Sequence, residues 1–147
     1  MKHQVRFDDF DGLNQIIAGG FGEWGPPLLI DQALIEDFAK SISRAPEAVA
    51  AQPETMLPAM LPRLEPGMDW EIVGSPHALN LGCPEIRFLT PVKLGDAVRC
   101  KCRLATAVPF RIGVKITLAL EAEIADTSEP CMTVQLAILY LQGTEQA

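Results

Sequence analysis

The chain has 147 residues, with 19 acidic against 12 basic side chains and a net charge of −7. That balance excludes general nucleic-acid binding, which needs a basic surface. No apolar run approaches the roughly 18–20 residues that cross a bilayer, and the opening MKHQVRFDDFDG lacks the apolar stretch of a secretion signal. The expectation is one domain over residues 1–147, cytoplasmic, with neither nucleic acid nor a membrane as partner. Cys83, Cys100, Cys102 and Cys131 are then expected as reduced thiols.

Residues 1–23 fit no clear pattern. Asp8, Asp9 and Asp11 lack the remainder of a calcium loop and read as a solvated acidic surface. The glycine-rich run from Gly19 to Pro27 reads as a loop, with no phosphate-binding glycine pattern following it. Asp31 is placed to cap a helix in which Leu34, Ile35, Phe38, Ala39 and Ile42 form one apolar stripe. Pro53 suits a first helical turn, so a second helix is expected from there to Leu64, kinked or weakened at Pro58.

From Met68 onward the chain reads as sheet, with a short strand at Trp70 and Ile72 before the turn Gly74-Ser75-Pro76. Ile86 and Phe88 alternate with Glu85 and Arg87, and Val98, Cys100 and Cys102 alternate with Arg99, Lys101 and Arg103. Between these runs lies Pro91-Val92-Lys93-Leu94-Gly95-Asp96, where Pro91 fixes φ and Gly95 can take a positive one. Alternation on both flanks of such a turn predicts paired, half-buried antiparallel strands. The C-x-C of Cys100 and Cys102 shares a face with Val98 and Leu104, and no second Cys/His pair stands at ligand spacing. Those thiols are therefore expected in the core, and no metal is expected. Two long strands follow, Ile112 to Ile124 and Met132 to Leu141, turned at Asp126–Pro130.

The stretch Asn80-x-Gly82, Ile86-Arg87-Phe88, Pro91-Val92-x-x-Gly95-Asp96 resembles the MaoC-like acyl dehydratases, enoyl-thioester hydratases of the hotdog fold. Leu29-Ile30-Asp31-Gln32-Ala33-Leu34-Ile35-Glu36-Asp37-Phe38-Ala39 is similar to the family's first helix, so the resemblance runs from about Trp24 to Leu141. It implies an α+β fold, a single hotdog domain whose antiparallel sheet wraps around a central helix. It also implies edge-to-edge dimerisation with a pocket at the seam.

The family's Asp and His, which work as general acid and base on water, have no counterparts here. No Asp lies between Asp37 and Asp69, and no His between His3 and His77. Matching Met60-Leu61-Pro62-Arg63-Leu64 to the family places Gln52-Pro53-Glu54 at the start of the central helix, where a backbone N–H would polarise the thioester carbonyl. Glu54 there reads as a first-turn acid complementing the helix dipole, or as a catalytic base of thioesterase type. His77 is the other catalytic candidate. Gln52, Thr55, Asn80 and Gly82 are candidates for substrate contact. Arg99 and Lys101, with Arg103, Lys115 and Arg111 near them, could grip coenzyme A phosphates or form a solvated outer face. The ligand expected is an acyl thioester, on coenzyme A or an acyl-carrier protein, with no further cofactor. The alternatives are an active hydratase or thioesterase using other residues, and a non-catalytic subunit in a MaoC-like heteromer.

Overall fold

In the computed structural model, which describes residues 2–143, the elements in chain order are β1 (His3–Arg6), α1 (Phe10–Gly19), β2 (Leu28–Leu29), α2 (Gln32–Ser41), α3 (Pro46–Ala51), a 3-10 segment (Pro53–Met60), α4 (Leu61–Leu64), β3 (Trp70–Val73), β4 (Ala78–Phe88), β5 (Ala97–Phe110), β6 (Gly113–Ile124) and β7 (Glu129–Leu141). Met1 and residues 144–147 of the expected domain lie outside the described residues.

Both α1 and α2 start on an aspartate that supplies an acceptor to a free backbone N–H. Asp31 accepts from the Leu34 N–H at 2.9 Å, as the sequence predicts, and α2 buries Leu34, Ile35 and Ala39. Asp9, read from sequence as part of an acidic surface, accepts from the Gly12 N–H at 3.0 Å and caps α1. The N-terminal segment is thus ordered: β1 pairs in parallel with β3, and Val5, Phe7 and Leu13 are buried under it.

The expected single helix from Pro53 to Leu64 is not formed. The chain winds as a 3-10 segment to Met60 and closes with one α-helical turn. Pro58 and Pro62 cannot donate to the carbonyls four residues earlier, and each ring crowds that carbonyl, so the tighter winding replaces the α ladder. This segment still fills the place of the central helix, with Met56, Leu57 and Leu64 fully buried.

The main sheet is antiparallel, in the order β2-β5-β6-β7-β4. β4 and β5 therefore lie on opposite sides of the β6–β7 pair and are not partners. The turn after β4 is no hairpin; it carries the chain across the end of the central segment. One face of the sheet, the inner face, carries the even-numbered residues of β6 and β7. Its apolar side chains enter two clusters, one under α2, α3 and the central segment, the other under β1 and α1. Cys100, Cys102 and Leu104 point the same way and are buried, as expected. A bulge at Ala105 then reverses the parity of β5, turning Thr106, Val108 and Phe110 to the outer face.

The outer edge of β5 is closed by the loop before β2. Gly22 and Gly25 donate backbone hydrogen bonds to the Cys102 and Cys100 carbonyls at 3.0 and 2.8 Å, and Gly67 donates to Glu23 at 3.0 Å. A Cβ at Gly22 would collide with the Gly67 carbonyl oxygen, so the close approach requires glycine. β4 has no such cover, and no strand pairs with its outer side among the described residues.

Candidate functional site

Where the turn after β4 crosses the central segment, Glu54 lies partly buried and its Oε1 accepts the Val92 backbone N–H at 3.1 Å. Glu54 thus ties the start of the 3-10 segment to the Pro91–Asp96 turn. The turn is itself closed by Asp96, whose carboxylate accepts from the Lys93 N–H at 2.8 Å, and Gly95 takes φ +96°. Thr55 and Gln52 are exposed beside Glu54. Both the backbone N–H and the hydroxyl of Thr55 donate to the Gln52 carbonyl, at 3.0 and 2.8 Å. Pro53 has no N–H, and the Thr55 N–H is already used. The start of this segment therefore offers fewer free donors than a regular helix start does.

Against this corner stands the open strand. Ile86 and Phe88 are on the inner face, in register with Val134 and Met132, yet remain 38% and 44% exposed. The alternation at Ile86 and Phe88 is therefore real, but the expected half-burial is not reached, because the helices stop short of β4. The apolar floor continues across the sheet from Ile86 through Val134 to Leu120. It ends in a hollow of about 460 Å³ between the two clusters, walled by Leu61, Met68, Cys102, Leu118, Leu120 and Leu136, with Lys2 and Glu65 also among its lining residues.

The other sequence candidates lie elsewhere. Asn80 is eight residues along β4 from Phe88, roughly 26 Å at the usual strand rise, and its Oδ1 accepts from the Gly82 N–H at 2.8 Å. Gly82, at φ +95°, sits in a bulge that breaks the register with β7. His77 is exposed just before β4, at the end away from Glu54. Within one chain, then, Gln52, Glu54 and Thr55 come together, while Asn80, Gly82 and His77 form a second group.

Arg99 and Lys101 are on the outer face and are engaged within the chain. Arg99 Nε donates to Glu123 at 2.8 Å, and Lys101 stands 3.7 Å from Glu121. Trp24 lies over both cations, at 4.8 Å in each case, and Phe21 lies 4.5 Å from the Lys101 ammonium. Sequence reasoning missed this aromatic cover, because only the hydrogen-bonded loop brings Phe21 and Trp24 over β5. It also missed the hollow, whose walls come from separate elements.

Burial, reinforced by the neighbouring Cys102 and Cys131, pushes the Cys100 thiol up to about 12. Burial also raises Cys102 and Cys131 to about 11. These thiols are neutral and unreactive near pH 7. No group of His, Cys, Asp and Glu among the described residues could hold a metal ion.

Comparison with known proteins places the architecture. No family model matches the sequence, and no curated protein does. Solved structures do. A chain of the ChsH1-ChsH2 complex from Mycobacterium tuberculosis matches with a TM-score of 0.67 at 16% identity, over 93% of this chain and 98% of that one. The MaoC-like dehydratase from Rhodospirillum rubrum gives 0.58 at 13% identity, over 84% and 92%. The R-hydratase PhaJ1 from Pseudomonas aeruginosa gives 0.56 at 17% identity, over 86% of each chain. The protein has the hotdog fold, in the form shared by MaoC-like dehydratases and hydratases. No helix among the described residues is long and apolar enough to cross a membrane.

Proposed function

We propose that this protein binds an acyl thioester, carried on coenzyme A or an acyl-carrier protein, without the acid–base pair that hydrates an enoyl group. The observation that carries the reading is the apolar hollow. Four of its ten lining residues are leucines, Leu120 in its wall is in register through the buried Val134 with Ile86, and it lies on the same inner face as the Glu54 corner. A volume of about 460 Å³ with a mainly apolar lining suits an alkyl chain, Lys2 and Glu65 being its charged residues. Glu54 acts in this reading as a structural acceptor for Val92. Arg99 and Lys101 are not needed for phosphate contact, since Glu123 and Glu121 already hold them.

The open β4 edge fits pairing with another hotdog chain. An antiparallel partner centred near Cys83 would set the Asn80 end of one chain beside the Ile86 end of the other, joining the two separated groups of polar candidates. A second copy gives a homodimer. A non-catalytic subunit in a heteromer is the second reading, favoured by the same open edge and by the likeness to a chain solved within the ChsH1-ChsH2 complex.

Leu118→Trp tests the hollow, because the indole would occupy it. Octanoyl-CoA affinity is expected to fall at least about ten-fold while far-UV circular dichroism is unchanged. Equal affinity in the wild type and the variant would refute the reading.

A further inference from the structure

The N-terminal layer leaves a groove of about 300 Å³ between α1, the starts of β1 and β3, and the loop that runs over β5. Its apolar wall is made by Ile16 and Trp70, both half-buried against the second cluster. Asp69 stands at the polar end, its backbone fixed by the His3 N–H, which donates to the Asp69 carbonyl at 2.7 Å. The Asp69 side chain is exposed and in no ion pair among the described residues. The C-terminal end of α1 meets the groove at Gly19 and Gly20, and its last turn carries no basic side chain. No cation of α1 therefore balances the negative end of the helix dipole or its last carbonyls. Gly19 is a residue that the fold itself does not require. Its φ lies outside the left-handed region, and a Cβ there would meet nothing within 4 Å. Gly12, also in the groove, differs, because its Cβ would press on the Asp9 carboxylate that caps α1. Glycine weakens a helix relative to alanine, and what it leaves at position 19 is an open groove.

We infer that this groove binds a small primary amine with an apolar body. The Asp69 carboxylate, the Gln15 amide oxygen and the last carbonyls of α1 are acceptors for an ammonium group, and its hydrogen bonds to them are charge-assisted. A quaternary ammonium has no N–H to offer them. The apolar body lies along Ile16 and Trp70, where the indole face adds its own attraction for a cation. Among the described residues no cation of the chain stands over Trp70. Phe21, which also lines the groove, is already engaged by Lys101 and Arg103, at 4.5 and 5.6 Å from its centre. Lys101 is in turn 3.7 Å from Glu121, which offsets its charge. Glu23 lines the adjoining hollow together with Asp69, so an anionic ligand would meet two carboxylates and the helix end at once. The inference does not depend on acyl binding.

Isothermal calorimetry on the full chain tests it, with 2-phenylethylamine as the probe and 2-phenylethanol as its uncharged counterpart. The amine is expected to saturate with a Kd below about 1 mM, a modest affinity for a ligand of this size. The alcohol is expected to bind at least about ten-fold more weakly, for want of the charge. Asp69→Asn keeps the backbone anchor, and Gly19→Leu fills the groove; each is expected to weaken amine binding at least about ten-fold. Gly19→Leu should melt no lower than wild type, since its side chain enters open space and leucine is the better helix former. Three results overturn the inference: no saturation up to about 10 mM amine, equal affinity for amine and alcohol, or wild-type affinity in either variant. Should Gly19→Leu fail to fold, Asp69→Asn and the alcohol decide between the same outcomes.

Discussion

Glu54 shows how position alone leaves a carboxylate's role undecided. At the start of a helical segment it can complement the dipole or serve as a base, and the sequence carries both readings. Its 3.1 Å hydrogen bond from the Val92 N–H adds a mechanical one, since it clamps the central segment to the turn after β4. Glu54→Ala is expected to lower the unfolding free energy by about 1–2 kcal/mol, the cost of a partly buried donor left without its acceptor. Glu54→Gln, which keeps an acceptor, should stay close to wild type in denaturant titrations. A Glu54→Gln variant as unstable as Glu54→Ala would show that the charge, and not the clamp, matters.

The cysteines are the second case at this scale. Cys83 is exposed and the other three are buried with raised thiol pKa values. Iodoacetamide on the native protein should modify Cys83 alone, with the remaining three reacting only after denaturation, as mass spectrometry would read. The same shifts set a pH dependence. Unfolded thiols ionise near 9, whereas the folded ones hold their protons to about 11 or 12. Their contribution is complete below pH 9 and is lost as the pH rises toward 12, so thermal stability should fall over that window. A Cys100→Ala variant should lose less of its stability there than wild type.

Among the elements, the long strands were the most legible. Alternation in β5 up to Leu104, in β6 and in β7 from Met132 marks the side chains that share the inner face, and the Cys100/Cys102 face follows from it. Partners were not legible. Alternation says which side chains share a face, but nothing about which strand lies alongside, so the flanks of the Pro91–Asp96 turn read as a hairpin when they lie two strands apart. The bulge at Ala105 was hidden for the same reason: one extra residue in a long apolar run leaves no mark in composition, yet it turns Val108 and Phe110 outward. The central helix was placed correctly and its winding was not, because the combined effect of Pro58 and Pro62 exceeds a kink. Of the candidate site, the Gln52–Glu54–Thr55 group was visible in the sequence. The hollow was not, since its walls come from α4, the loop after it and three strands. The loop over β5 makes a separate prediction. Gly22→Ala drives a methyl group into the Gly67 carbonyl and is expected to cost about 2 kcal/mol, measured by thermal unfolding. A neutral result would mean that the loop moves aside freely.

For the molecule as a whole, the asymmetry of the sheet is decisive. One edge is covered from Ala97 to Cys102 by β2 and a hydrogen-bonded loop, the other has no strand partner among the described residues, and an apolar hollow lies beneath the central segment. An unprotected edge on an isolated domain invites uncontrolled pairing. The likeness to MaoC-like hydratases fixes the architecture, and the missing Asp and His are what the proposal of binding without hydration rests on. Calorimetric titration of the purified protein with trans-2-octenoyl-CoA tests both parts at once, provided the signal is followed well beyond the binding heat. A saturable heat that returns to a flat baseline is the expected result for a thioester-binding protein without hydration. No heat would contradict thioester binding through the hollow, and a steady heat that persists until the ligand is consumed would contradict the loss of chemistry.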